Sequence, residues 1–169
     1  QIDHFALTNG FLRNGFDLFR PETYVYNKIY PGEYLLQSSS SITAVDFPIH
    51  NYIVALIMNL FDIKNAVIYK LYVIFFGCIG LWYLSKLAYL ILDDEVKALS
   101  VVAFASLSPL FAYYHGSLLP SIPCVTLTII GIYFYFRFRD SSNIKHFYLS
   151  MFFFAISLLS RTTFVIPFI

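Results

Sequence analysis

Residues 66–92 read AVIYKLYVIFFGCIGLWYLSKLAYLIL, and this stretch decides the fold class. It holds 27 residues, and its only charged side chains are Lys70 and Lys86. A helix of about 20 apolar residues is long enough to cross the roughly 30 Å hydrocarbon core of a bilayer. The stretch therefore predicts a transmembrane helix, the longest and least ambiguous of the chain.

The composition of the whole chain agrees with this prediction. Of the 169 residues, 59% are hydrophobic and 12% are charged, and the mean hydropathy is +0.69. Soluble domains carry roughly 25% charged residues, about twice as many. The net charge of +1 gives no electrostatic case for a nucleic-acid partner. The sequence therefore predicts an all-α integral membrane protein.

Three further apolar segments are predicted to cross the membrane: about 97–114, about 118–137 and about 146–168. They bring the prediction to about four transmembrane helices, all within a region from 66 to 169. Pro109 predicts a kink near one end of the first segment, because proline removes a backbone hydrogen bond. Arg161 interrupts the last segment.

The chain before residue 66 differs in character. Residues 1–47 are polar and aromatic and predict an extracytoplasmic loop, in which about Asp3 to Asn14 form a short amphipathic helix ended by Gly15. Residues 48–62 follow, in the run FPIHNYIVALIMNLF, which is only about fourteen residues long and too short to cross the bilayer. This run predicts an interfacial helix.

Lysine and arginine residues near helix ends predict the orientation, because cytoplasmic loops carry an excess of both. Lys86, Lys97 and the run RFRDSSNIKH (137–146) would lie in the cytoplasm. The run YYHGSLLPS (113–121) contains neither lysine nor arginine and would lie outside. The prediction is a multi-pass protein with residues 1–65 on the extracytoplasmic side.

Two acids of the polar segment are candidate catalytic groups. Asp3 lies in the predicted amphipathic helix beside His4, and Asp46 stands just before Pro48, where the chain enters the interfacial helix. Two carboxylates held together at a membrane surface could serve as a general base and as an orienting or metal-binding partner. The alternatives are ordinary solvated loop charges and, for Asp46, a helix N-cap.

Basic residues within apolar segments are candidates for binding a lipid phosphate, because charges in membrane helices are costly and usually functional. Lys70 lies one turn into the first span, and Arg161 lies inside the last one. The alternatives are snorkelling to the interface for Lys70 and a helix-end anchor for Arg161. His50 is a further candidate for substrate binding on the outer side.

A metal site could be built from Asp3, His4 and His50, but no sequence spacing enforces it. No metal ligand is therefore assigned, and a divalent metal is left open as a cofactor. The sequence contains none of the GxSxG, Walker A, HExxH or GxGxxG motifs, so the chemistries of the corresponding soluble enzymes are not supported.

Four motifs occur in an order that resembles a known family. The segment QIDHFALTNGFLRNGFDLFRP (1–21) resembles the first outer loop of GT-C membrane glycosyltransferases of the protein-mannosyltransferase and aminoarabinose-transferase type, the glycosyltransferase 39 group. VDFPIHNYIVALIMNLFDIKNAVIYKL (45–71) is similar to the EFPLYNYL segment of that family. SLSPLFAYYHGSLLPSIP (106–123) and LLSRTTFVIPF (158–168) resemble two later segments.

The resemblance implies a cell-envelope enzyme that transfers a sugar from a polyprenyl-phosphate carrier to a glycan, lipid or protein acceptor. Asp3 would be the base that deprotonates the acceptor hydroxyl, and Asp46 would take the second acidic position. Lys70 replaces a common Arg and Arg161 a common Lys, so both keep the positive charge that stabilises a phosphate leaving group. Ser121 departs from the pattern, since members often carry Glu there.

Two other functions are alternatives to a transferase: a multi-span transporter or lipid flippase, and a non-catalytic membrane scaffold. In a transporter the outer loop would be a lid, and Lys70 and Arg161 would line a path. Because the chain starts at Gln1 rather than Met and is still apolar at its end, we expect an incomplete fragment of a longer GT-C fold.

Overall fold

A computed structural model of the chain describes residues 2–22 and 46–161, apart from the side chains of residues 2 and 3. All regular elements in these ranges are helices, which confirms the predicted fold class. They are α1 (Ile2–Arg13), α2 (Ile49–Phe61), α3 (Ala66–Leu92), α4 (Glu95–Leu107), α5 (Pro109–His115), α6 (Ser121–Ser141) and α7 (Ile144–Ser160).

Helices α3 and α6 are long and apolar enough to cross a membrane. Helices α4 and α5 meet at a 64° bend and pass the same test only when taken together. Their junction is Ser108, which is extended, because the ring of Pro109 disfavours a helical conformation for the residue before it. The described residues thus contain two candidate spans, or three if the bent pair is one span.

The predicted spans at 97–114 and 146–168 stay predictions, although the helices described within them are not continuous over those ranges. The first is not one continuous helix, since Ser108 separates α4 from α5; the kink expected at Pro109 is present. In the second, α7 ends at Ser160 after 17 residues, and Arg161 is extended with φ −160°. Residues 162–169 lie outside the described part, so a fourth span remains a prediction.

Small and hydroxyl-bearing residues hold α3, α6 and α7 together. Thr126 Oγ1 donates a hydrogen bond to the Phe76 carbonyl (2.9 Å), and Ser150 Oγ donates to the Gly131 carbonyl (2.8 Å). Ser157 Oγ donates to the carbonyl of Cys124 at 2.9 Å. Helices in lipid associate through such close backbone approaches and interhelical hydrogen bonds, because apolar side chains gain little by leaving lipid for protein.

Replacing Gly131 with Ala is expected to loosen the contact between α6 and α7. An added Cβ would lie 2.9 Å from two ring carbons of the buried Phe154, so the packed ring or the helices must shift. Overpacking of this kind costs about 1–3 kcal/mol, which thermal unfolding in detergent would register as a lower Tm. Gly116→Ala is the control, because an added Cβ there would lie an ordinary 3.7 Å from the Ala112 carbonyl oxygen. Equal Tm values for the two variants would contradict this packing.

Helix α1 is fixed to α2 by a small apolar cluster. Leu7, Phe11 and Ala55 are buried there, and the rings of Phe11 and Tyr52 meet edge to face at 5.5 Å. Full burial of such a side chain contributes about 1.5–3 kcal/mol. Gly15 ends α1 in the left-handed region (φ +71°), as the sequence predicted.

Helix α2 packs its other face on α3 and positions the chain that precedes it. Val54 and Met58 of α2 join Tyr69 and Val73 of α3 in a buried cluster. The N-cap of α2 is Pro48 and no side chain caps the helix, so the alternative of an N-cap at Asp46 is wrong.

Candidate functional site

A small polar pocket of about 90 Å³ lies where α1, α2, α6 and α7 come together. Its polar lining comes from widely separated parts of the sequence: His4, Asp46, His50, Asn51, Ser160 and Arg161. The pocket therefore exists only once the helices have packed. Three of the predicted site residues, Asp46, His50 and Arg161, line it.

Asn51 lines this pocket and joins α2 to both α1 and α3. It is 1% exposed, its Nδ2 donates to the His4 carbonyl at 3.0 Å, and its Oδ1 accepts from the Tyr69 hydroxyl at 3.2 Å. Losing such a buried partner leaves other groups unsatisfied, at a cost of about 1–3 kcal/mol each. Asn51 therefore holds α1 in place over α2 and α3. Asn51 is not among the residues predicted from the sequence, although an amide in the apolar run after His50 is a usable signal.

His50 is a buried, neutral group of the pocket. Its ring is 3% exposed, and Nδ1 lies 2.8 Å from the hydroxyl of Tyr72, a residue that the sequence analysis did not single out as a site residue. Nε2 is also buried, and among the described residues it has no hydrogen-bond partner. Burial lowers the pKa of His50 from 6.5 to about 4, because the imidazolium would lose its hydration. At neutral pH His50 can exchange hydrogen bonds with a ligand but supplies no positive charge.

This lowered pKa predicts a pH-dependent stability. The unfolded chain binds a proton at His50 below pH 6.5 and the folded chain only below about pH 4. Stability is therefore fully present above pH 6.5 and is lost as the pH falls towards 4, by about 2 kcal/mol between pH 7 and pH 5. Thermal unfolding at these two pH values should show a larger loss for the native chain than for His50→Gln. An equal loss in both proteins would contradict the burial of a neutral His50.

Arg161 occupies the junction of this polar pocket with a second, apolar cavity. The second cavity, of about 540 Å³, lies along α4, α5 and α6 and is also lined by Arg161. Its apolar walls include Phe104, Leu110, Phe111, Tyr114, Ile122 and Val125. Arg161 therefore lines both a polar pocket and an apolar groove.

Within the described residues, the side chain of Arg161 is held by a neutral partner rather than by an ion pair. Its Nη1 donates to Ser121 Oγ, and its backbone N–H donates to the Ser157 carbonyl at 3.1 Å. The ion pairs within residues 2–22 and 46–161 join other residues, so no described carboxylate pairs with Arg161. Ser121 stands where the resembled family often has Glu. A serine holds the guanidinium by a hydrogen bond and leaves its positive charge available to an anion.

The structure does not bring every predicted residue to the pocket. Lys70 is exposed, beside the buried Tyr69, and does not line the pocket, as expected for a lysine that reaches towards the interface. Asp3 lies in the first turn of α1, next to His4, which does line it. The side chain of Asp3 lies outside the described part.

No group of three or more metal-ligating side chains is assembled within the described residues. The set of Asp3, His4 and His50 is not tested by this observation, because it depends on the side chain of Asp3. His50 and His4 do line one pocket, so two members of the set are neighbours.

Comparison with known proteins places the chain in a family. No curated protein and no solved structure matches it. Residues 45–169, most of the chain, match the family described as dolichyl-phosphate-mannose-protein mannosyltransferase. The matched region includes Asp46, His50, Lys70 and Arg161, whereas Asp3 lies before it. The chain therefore belongs to the dolichyl-phosphate-mannose-protein mannosyltransferase family and is an integral membrane glycosyltransferase of the GT-C type.

Proposed function

We propose that the chain transfers a sugar from a polyprenyl-phosphate donor to an acceptor hydroxyl on the extracytoplasmic face. The observation that carries this proposal is the position of Arg161, which lines both a polar pocket and an apolar groove and has no ion-pair partner among the described residues. A polyprenyl phosphate has the complementary shape, because an anionic phosphate is attached to a long apolar chain. The phosphate would contact Arg161, the sugar would enter the polar pocket, and the first isoprene units would enter the groove.

The reaction is an inverting displacement. A carboxylate takes the proton of the acceptor hydroxyl as its oxygen attacks the anomeric carbon. The bond from this carbon to the phosphate oxygen breaks, and the polyprenyl phosphate leaves with the electron pair. Negative charge grows on the leaving oxygen, and a fixed positive group nearby stabilises it most in the transition state.

Each residue has a role in this proposal. Asp3 is the base, and Asp46 is a second acid that orients the acceptor. Arg161 neutralises the leaving phosphate, and neutral His50 exchanges a hydrogen bond with substrate at the bottom of the pocket. Lys70 is a secondary phosphate contact near the membrane surface, since it is exposed one turn into α3.

Membranes that contain the complete protein provide the test. They would be supplied with a panel of radiolabelled polyprenyl-phosphate sugars and, separately, with nucleotide sugars. We expect transfer from at least one polyprenyl-phosphate donor, with inversion at the anomeric carbon. Transfer from nucleotide sugars alone, or a product of retained configuration, would overturn the proposed donor class or mechanism. Movement of intact lipid donor across the bilayer without transfer would favour the transporter or flippase instead.

A further inference from the structure

A second polar cavity lies at the opposite end of the helices from the candidate site. It has a volume of about 550 Å³ and lies between the second half of α3, the start of α4 and the end of α6. Its polar lining consists of Ser85, Lys86, Tyr89, Glu95, Tyr133 and Arg137. Lys86 is fourteen residues beyond Tyr72 in α3, which at 1.5 Å per residue places it about 21 Å along the helix from Tyr72, the residue that contacts His50 of the first pocket. The two cavities are therefore separate sites.

We propose that this cavity binds the headgroup phosphate of an anionic phospholipid in the leaflet opposite the candidate active site. Two cations, Lys86 and Arg137, face one acid, Glu95, across it. Among the described residues, no ion pair joins Glu95 to Lys86 or to Arg137. The cavity thus has a net positive charge that an anion can neutralise.

The two cations are arranged differently, and both arrangements suit a phosphate. Lys86 Nζ lies 3.8 Å from the centre of the Trp82 ring, a cation–π contact that orients the ammonium while leaving its donors available. Arg137 is exposed near the C-terminal end of α6, and its guanidinium can donate two parallel hydrogen bonds to phosphate oxygens. The hydroxyls of Ser85, Tyr89 and Tyr133 provide further donors.

The surroundings favour a lipid over a soluble phosphate. Leu90 and Leu99 give the cavity apolar walls, and its helices α3 and α6 are the two candidate spans. The cavity therefore lies towards the helix ends, the depth at which phospholipid phosphates and glycerol groups occur. Basic pockets between transmembrane helices bind anionic headgroups in this way.

The test uses the complete protein in detergent, titrated with fluorescent phosphatidylglycerol and, separately, with phosphatidylcholine. We expect the native protein to bind phosphatidylglycerol more tightly, and the double variant Lys86→Gln, Arg137→Gln to lose roughly 10- to 30-fold in affinity. Arg139→Gln is the matched control on the same helix, because Arg139 is exposed, lies over the Phe136 ring and does not line the cavity. Its affinity should stay within about twofold of native, since the lost charge is outside the site.

Three outcomes would overturn the proposal. Equal binding of the two lipids would exclude charge recognition, and equal losses in the double variant and Arg139→Gln would exclude this cavity. Full competition by millimolar inorganic phosphate would assign the site to a soluble anion. Arg137→Lys guards against misfolding, because it keeps the charge and should retain most of the binding. None of these measurements depends on sugar transfer, so the proposed function can fail without affecting them.

Discussion

Replacing Arg161 with Gln is expected to lower kcat for sugar transfer by about 100- to 1000-fold, the usual effect of removing one group that stabilises developing negative charge. Arg161 lines both the polar pocket and the apolar groove, and its guanidinium donates a hydrogen bond to the neutral Ser121. Glutamine retains a hydrogen-bond donor and loses the charge. The measurement is the initial rate of transfer from the polyprenyl-phosphate sugar that the native protein uses.

Two comparisons separate this role from a structural one. Arg161→Lys keeps the charge without the planar donor pair of arginine. We expect its rate to be at least tenfold higher than that of Arg161→Gln, because charge is the larger part of the effect. Arg139→Gln removes a cation from the other end of the helices and should leave the rate unchanged. If Arg161→Lys and Arg161→Gln are equally inactive while Tm falls in both, Arg161 is only a helix-end anchor that binds Ser121.

The helix boundaries that were predicted best from the sequence are those set by neighbouring residues in the chain. Apolar length defines 66–92, and the structure has α3 at Ala66–Leu92. Gly15 ends α1 and Pro109 bends the chain, because their backbone preferences act wherever they occur. The end of α7 had no such signal. An arginine in an apolar run is compatible with a continuing helix. The helix nevertheless ends before Arg161, whose side chain donates a hydrogen bond to Ser121, 40 residues earlier in the chain.

The candidate site was predictable only in part: some of its residues were identified from the sequence and others were not. Residue chemistry and the resemblance selected Asp46, His50 and Arg161, which line one pocket. Tyr72 and Asn51 were not selected, because a tyrosine or an asparagine in an apolar helix has no distinctive sequence pattern. Their roles come from tertiary contacts. Tyr72 contacts His50, which is 22 residues earlier in the chain, and Asn51 accepts a hydrogen bond from Tyr69, which is 18 residues later. These contacts form only when the helices pack, so a pattern in the sequence does not predict them.

Replacing Asp3 with Asn is expected to abolish most turnover while leaving binding of the lipid donor intact. Asparagine has the same shape as aspartate and cannot accept the acceptor's proton, and a general base contributes about 100- to 10,000-fold to a rate. Asp3 stands in the first turn of α1 beside His4, and Asn51 fixes that turn through the His4 carbonyl at 3.0 Å. The proposed phosphate ligand, Arg161, directly follows α7 and is not part of α1, so we expect donor affinity to remain within about threefold of native.

Asp17→Asn is the matched control, because Asp17 follows α1 in a turn where its Oδ1 accepts the Phe19 N–H at 3.0 Å, a bond that asparagine can keep. It should transfer sugar at the native rate. Asp46→Asn decides between the two candidate bases. If Asp3→Asn stays within about threefold of native while Asp46→Asn loses turnover, the proton goes to Asp46, and α1 serves to close the pocket through His4 and Leu7. If both variants lose turnover and only Asp46→Asn also weakens acceptor binding, Asp3 is the base and Asp46 orients the hydroxyl that it deprotonates.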